Sequence, residues 1–176
     1  MRTAGLAVLG VAFLLGAAQA ADDTPLGAFG FLAGHCWRGE FEGSNASDTH
    51  CFTWVFGGKH LRDVHVVSGD GREYRGETIY SVDGASGGVI YRYWNSDGGV
   101  SDGRIEFEND EILAPGEKYV GEDGKPREFR SRLRQIDEAH YEAVTEERIG
   151  DRWSNFARIR FMRIGDALDR EQASRE

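Results

Sequence analysis

His50, His65 and Asp63 are the residues of this chain best suited by type and spacing to do chemistry. Imidazole exchanges protons near neutral pH and ligates metals, and a neighbouring carboxylate orients the ring. A two-residue Gly57-Gly58 turn would pair Phe56 with Lys59. His50 then meets His65, Phe52 meets Asp63 and Trp54 meets Leu61. Such a pair suits a metal or haem site, an acid/base pair, or two hydrogen-bonded interior histidines. A metal would need a third ligand, from His35, Asp63 or Glu142. The sequence has no C-x-x-C, H-E-x-x-H, H-x-H, G-x-S-x-G, Walker or dinucleotide fingerprint, and residues 95–103 lack the EF-hand order. No cofactor or metal is therefore assigned. Glu142 and Glu146 share a strand face roughly 13 Å apart, too far for a glycosidase carboxylate pair.

Positioning these residues falls to β-strands. The chain has 176 residues with 24 Gly and 3 Pro, and turn signals recur every ten or so residues after Gly34. Ten strands are expected, at 35–42, 48–56, 59–67, 72–83, 88–95, 103–108, 111–114, 127–136, 139–149 and 152–164. Before them, Thr24-Pro25 followed by Leu26, Phe29, Phe31 and Leu32 reads as one short helical turn ended by Gly34. Residues 165–176 form a charged tail.

Hairpin registers assign the faces, because side chains alternate along a strand. Cys36 and Cys51, the two cysteines, have a disulfide, two free thiols or a metal pair as their alternatives. A disulfide is favoured, because pairing them sets His35, Trp37 and Phe41 on one face with His50, Phe52 and Trp54. Closing that loop stabilises by about 3 kcal/mol in the chain-entropy model. A four-residue turn at 68–71 would put Tyr74 beside His65, and one at 84–87 puts Tyr80 opposite Tyr91 and Thr78 opposite Tyr93. Two-residue turns at 137–138 and 150–151 would turn Phe129, Ser131 and Leu133 inward with His140, Glu142, Val144 and Glu146, and with Trp153, Asn155, Ala157, Ile159 and Phe161. Arg130, Arg132, Arg134, Arg158 and Arg160 then form an outer stripe. The expected fold is all-β, an up-and-down antiparallel barrel of about ten strands over residues 35–164, since closure removes sheet edges.

Residues 1–20 read as a secretory signal peptide, with Arg2, an apolar run from Ala4 to Leu15 and an Ala18-Gln19-Ala20 cleavage pattern. A periplasmic or secreted product beginning near Ala21 is expected, with 21–34 as its N-terminal segment. The apolar run is too short for a stable membrane span. With 21 basic and 30 acidic residues the net charge is −9, which argues against nucleic-acid binding.

The segment Phe31-Leu32-Ala33-Gly34-His35-Cys36-Trp37-Arg38-Gly39-Glu40 resembles the opening of the calycin superfamily, the lipocalin-like and fatty-acid-binding-like barrels. Its G-x-x-W spacing departs from the lipocalin G-x-W. Together with Tyr91-Arg92-Tyr93-Trp94-Asn95-Ser96-Asp97-Gly98-Gly99, it resembles secreted bacterial lipocalin-like proteins. The resemblance implies a barrel whose lumen binds a small, largely apolar molecule. Trp37, Phe52, Trp54 and Tyr93 would supply contact area, and His50, Asp63, His65, Tyr74 and Glu142 polar groups. It also implies an arginine packed over Trp37, from Arg158, Arg160 or Arg163. The inward Arg-x-Tyr of fatty-acid binders is absent from the last strand. Two other readings are an enzyme (isomerase, lyase or hydrolase) using His50, His65 or Tyr74, and an envelope interaction module working through the outer face.

Overall fold

Strand after strand, this chain folds back on its sequence neighbour, and the last strand finds the first. The computed structural model describes residues 24–167 except 70 and 72. The expected signal peptide and nearly all of the charged tail lie outside the described residues. The strands are β1 (His35–Glu40), β2 (Ser47–Val55), β3 (His60–Ser68), β4 (Tyr74–Val82), β5 (Val89–Asn95), β6 (Val100–Glu108), β7 (Glu111–Val120), β8 (Pro126–Asp137), β9 (His140–Ile149) and β10 (Arg152–Asp166). All pairings are antiparallel, and β1 pairs with β10 to close the barrel. No helix among the described residues is long and apolar enough to cross a membrane.

A 3₁₀ turn, Pro25–Phe29, precedes β1 and closes one end. Leu26, Phe29 and Leu32 are fully buried, and Phe29 packs 4.8 Å from Tyr80 and 5.8 Å from Phe107, at the ends of β4 and β6. Trp37 is fully buried there too, its indole N–H donating to the Leu32 carbonyl. Tyr141 lies 5.2 Å from Trp37 and stacks on Phe161. The N-terminal segment is thus an apolar plug, and burying such side chains stabilises by about 1.5–3 kcal/mol each. Of the arginines considered for the space over Trp37, Arg163 is its register partner, and its guanidinium donates to Asp166.

The first two hairpin registers are as expected. Cys36 pairs with Cys51 and forms a disulfide with it. His50 faces His65 and Trp54 faces Leu61. Gly57 and Gly58 both take positive φ, as the turn between β2 and β3 requires. The β4–β5 register also matches, with Tyr80 opposite Tyr91.

Three departures matter for the site. The β3–β4 pairing is shifted by two residues, so His65 faces Gly76 and Tyr74 faces Val67. A two-residue shift preserves the faces, and Tyr74 still points inward. Second, β7 runs on to Val120, because Pro115-Gly116 sits in an irregularity between Ala114 and Glu117 rather than ending the strand. Third, β9 is turned over. Irregularities between Gln135 and Asp137 and between Asn155 and Ala157 offset the pairing by one residue on each side of it. Leu133 therefore faces Ala143 and Ser131 faces Thr145. Glu142, Val144 and Glu146 point outward, contrary to the expectation, while Tyr141, Ala143 and Thr145 point inward. Beyond the second irregularity Ala157, Ile159 and Phe161 are inward as expected. Before it Trp153 is outward, under the Arg130 guanidinium, and Asn155 pairs with Glu146.

Candidate functional site

The barrel encloses a cavity of about 590 Å³. Its apolar lining includes Phe52, Tyr80, Ile105, Ile112, Leu133, Ala143, Ile159 and Phe161. Toward the end opposite the plug the lining passes to Tyr74, Asp97, Tyr119, Arg127, Phe129 and Phe156. Phe156 is 60% exposed, which places it at the mouth.

One wall is polar, and alternation on two adjacent strands builds it. Asp48 and His50 are two apart on β2, and Asp63 and His65 are two apart on β3. His50 Nδ1 lies 2.8 Å from Asp63 Oδ2, and its Nε2 lies 3.1 Å from Asp48 Oδ2. A carboxylate only accepts, so His50 donates from both nitrogens, as an imidazolium does. Burial alone would lower the basicity of His50, but the Asp63 and Asp48 carboxylates outweigh it and hold the ring protonated well above the usual histidine range. Burial alone would likewise raise Asp48; the charge of His50 and hydrogen bonds from His50 and His65 hold it well below the carboxylate range.

The network continues through His65, whose Nδ1 lies 3.1 Å from Asp48 Oδ1. Donation there leaves Nε2 to accept from the Tyr93 hydroxyl at 3.2 Å, and Tyr93 and Tyr74 share a hydrogen bond of 2.5 Å. His50 and His65 stack with centroids 4.8 Å apart. Burial raises the Tyr93 phenol far above its ordinary value, and raises Tyr74 despite its hydrogen bond with Tyr93. Both therefore stay hydroxyls, and with Tyr93 donating to His65 and Tyr74 to Tyr93 the Tyr74 oxygen is left to accept from whatever enters the cavity.

Gly76 makes this junction possible. A Cβ there would collide with His65 Nε2 and the Tyr93 ring and hydroxyl. We expect Gly76→Ala to cost about 1–3 kcal/mol by overpacking and to shift the His65 and Tyr93 ring resonances in NMR spectra. Unchanged ring resonances would contradict this close approach.

Across the lumen, Glu117 accepts from the Ser101 hydroxyl at 2.5 Å. Burial raises its carboxyl, and the hydrogen bond from Ser101 only partly opposes this. A carboxyl raised in the fold binds its proton more tightly there than in the unfolded chain, so its contribution to stability declines as pH climbs from the ordinary glutamate range through the folded value. Glu117→Gln is therefore expected to be more stable than the parent at pH 7–8, by about 1 kcal/mol. The gain should vanish below the ordinary glutamate pKa. Chemical denaturation at several pH values checks this, and a gain that grows on acidification would refute it.

No protein-family model and no curated protein matches this chain. His50, Phe52, Asp63, His65, Tyr74 and Tyr93, expected at a ligand site, all line the cavity. Trp37 instead belongs to the plug, and Trp54 packs against the apolar core. Glu142 is on the outer surface, paired with Arg158 at 3.1 Å and near Arg134 at 3.9 Å. Sequence reasoning missed Asp48, although its spacing from His50 was a usable signal. It missed Glu117 because Pro115 reads as a strand end, and Tyr141 because of the β9 offset.

Proposed function

We propose that this protein is an exported, lipocalin-like barrel that holds a small, largely apolar molecule in its lumen. The observation that carries the reading is the cavity of about 590 Å³, apolar for most of its lining and polar along one wall. Ligand sites are commonly 300–1,000 Å³ and combine apolar walls with a few placed polar groups. The ligand's apolar body would lie against Phe52, Ile159 and Phe161, and its polar end would meet the Tyr74 and Tyr93 hydroxyls. The intramolecular Cys36–Cys51 disulfide indicates an oxidising environment. That supports the periplasmic or extracellular location expected from residues 1–20.

Binding is favoured over acid/base catalysis by the geometry of His50, since both its ring nitrogens are occupied by carboxylates. A general base needs a free nitrogen within reach of substrate. The outer arginine stripe is largely neutralised by glutamates, including Arg130–Glu146, Arg158–Glu142 and Arg132–Glu111, which weakens the interaction-module reading. The test is a fluorescence titration with 1-anilinonaphthalene-8-sulfonate. Saturable one-to-one binding that Tyr93→Phe weakens supports the lumen site; unsaturable or unchanged binding would sink it.

A further inference from the structure

We propose that Asp48, His50 and His65 form a binding site for one divalent first-row transition-metal ion on the polar wall of the lumen. This goes beyond the small-molecule reading and rests on its own geometry. Asp48 offers Oδ2 at 3.1 Å from His50 Nε2 and Oδ1 at 3.1 Å from His65 Nδ1, and the candidate donor atoms all lie within 4.8 Å of one another. With metal–ligand bonds of about 2.1 Å, neighbouring donors sit about 3.0 Å apart in octahedral and about 3.4 Å apart in tetrahedral coordination. The separations to the two Asp48 oxygens are of that order, so loading asks for side-chain rotations rather than a change of backbone, with His50 releasing its Nε2 proton to solvent and His65 shifting its proton from Nδ1 to Nε2, where the Tyr93 hydroxyl oxygen accepts it.

The outer partners point the same way. A metal-bound histidine usually donates its second ring N–H to a carboxylate or another polar group, which fixes tautomer and ring orientation. His50 turns Nδ1 onto Asp63, and His65 turns Nε2 onto the Tyr93 hydroxyl. Each ring thus has one nitrogen held from behind and the other directed at Asp48. Two imidazoles and a carboxylate suit zinc or ferrous iron, whereas magnesium and calcium prefer oxygen donors throughout. Three protein ligands leave coordination positions for water or a ligand donor atom. Among the described residues this is the group of His, Cys, Asp and Glu whose donors converge in this way. The other paired histidines, His35 with Asp166 and His140 with Asp137, each present a single carboxylate on the surface.

The test is calorimetric titration of the chelator-treated, dialysed chain with zinc chloride, with cobalt chloride as an absorption probe. One zinc per chain is expected, together with visible cobalt bands. His65→Ala should weaken binding at least 10-fold, and Asp63→Asn, which keeps side-chain shape, by about 10- to 100-fold. His140→Ala should leave it unchanged. Absence of saturable one-to-one binding, or undiminished affinity in folded His65→Ala and Asp63→Asn variants, would overturn the proposal. X-ray absorption of the zinc-loaded parent needs no variant: two imidazoles and oxygen support the site, and one imidazole or none refutes it. The fluorescent-probe titration, run on the same metal-free sample, separates the two readings. Probe binding without zinc binding overturns the metal site alone. Zinc binding without probe binding overturns the small-molecule reading and leaves the metal site standing.

Discussion

Asp48→Ala is expected to lower folding stability by about 3–5 kcal/mol, the range for removing one partner from a buried charged network. Asp48 is only 7% exposed and serves both histidines, through Oδ2 to His50 and Oδ1 to His65. Its loss leaves His65 Nδ1 without its acceptor in a buried position and halves the carboxylate charge around His50. For a chain of this size each kcal/mol moves the melting temperature by about 2–4 °C, so a fall on the order of 10 °C should be visible. Asp48→Asn retains an acceptor oxygen but not the charge, and should fall between the parent and Asp48→Ala. Urea denaturation of chelator-treated samples makes the measurement. A change within about 0.5 kcal/mol, the size of an ordinary surface substitution, would mean that the network is not held together as described.

The second large effect tests the inverted face of β9. Ala143 lines the cavity, paired with Leu133 on one side and Ile159 on the other. Ala143→Trp is expected to fill the lumen and lower probe affinity by more than about 100-fold, while the space available keeps the destabilisation to about 1–3 kcal/mol. Glu142→Ala, one residue away, should leave probe affinity unchanged, because Glu142 sits outside with Arg158. Were β9 in the uninterrupted register, the two results would exchange. Paired titrations of these variants therefore read the face directly. Loss on Glu142→Ala with retention on Ala143→Trp would contradict the structure.

How far the sequence reaches follows from the same residues. Gly57-Gly58 marks a tight hairpin centred on itself, which sets the His50–His65 juxtaposition, and the cysteine pair sets the hairpin before it. The turn at 68–71 was placed with a register two residues off, and the missing constraint was steric. Only a glycine opposite His65 leaves room for Tyr93, which makes Gly76 rather than Tyr74 the partner. The face of β9 was not legible from turns alone, because a bulge inserts one residue without a strong local signature. Composition did carry a warning. An inward His140, Glu142, Val144 and Glu146 would place two carboxylates in the lumen, whereas the face of Tyr141, Ala143, Thr145 and Glu147 carries one, at the far end of the strand. Glu117 was hidden by Pro115, which ends a regular strand but is tolerated at a bulge. Six of the nine residues expected to bind ligand line one cavity because paired registers, once their parity is right, place whole faces together.

A small molecule held in the lumen would be seen by native mass spectrometry of the chain purified from its own host. The native mass is expected to exceed the denatured mass by a non-covalent organic species too heavy to be a metal ion. The denatured mass is expected two hydrogens below that of the reduced chain, from the Cys36–Cys51 disulfide. Native and denatured masses that agree, or that differ only by a metal ion, would contradict a lumen that holds a small molecule.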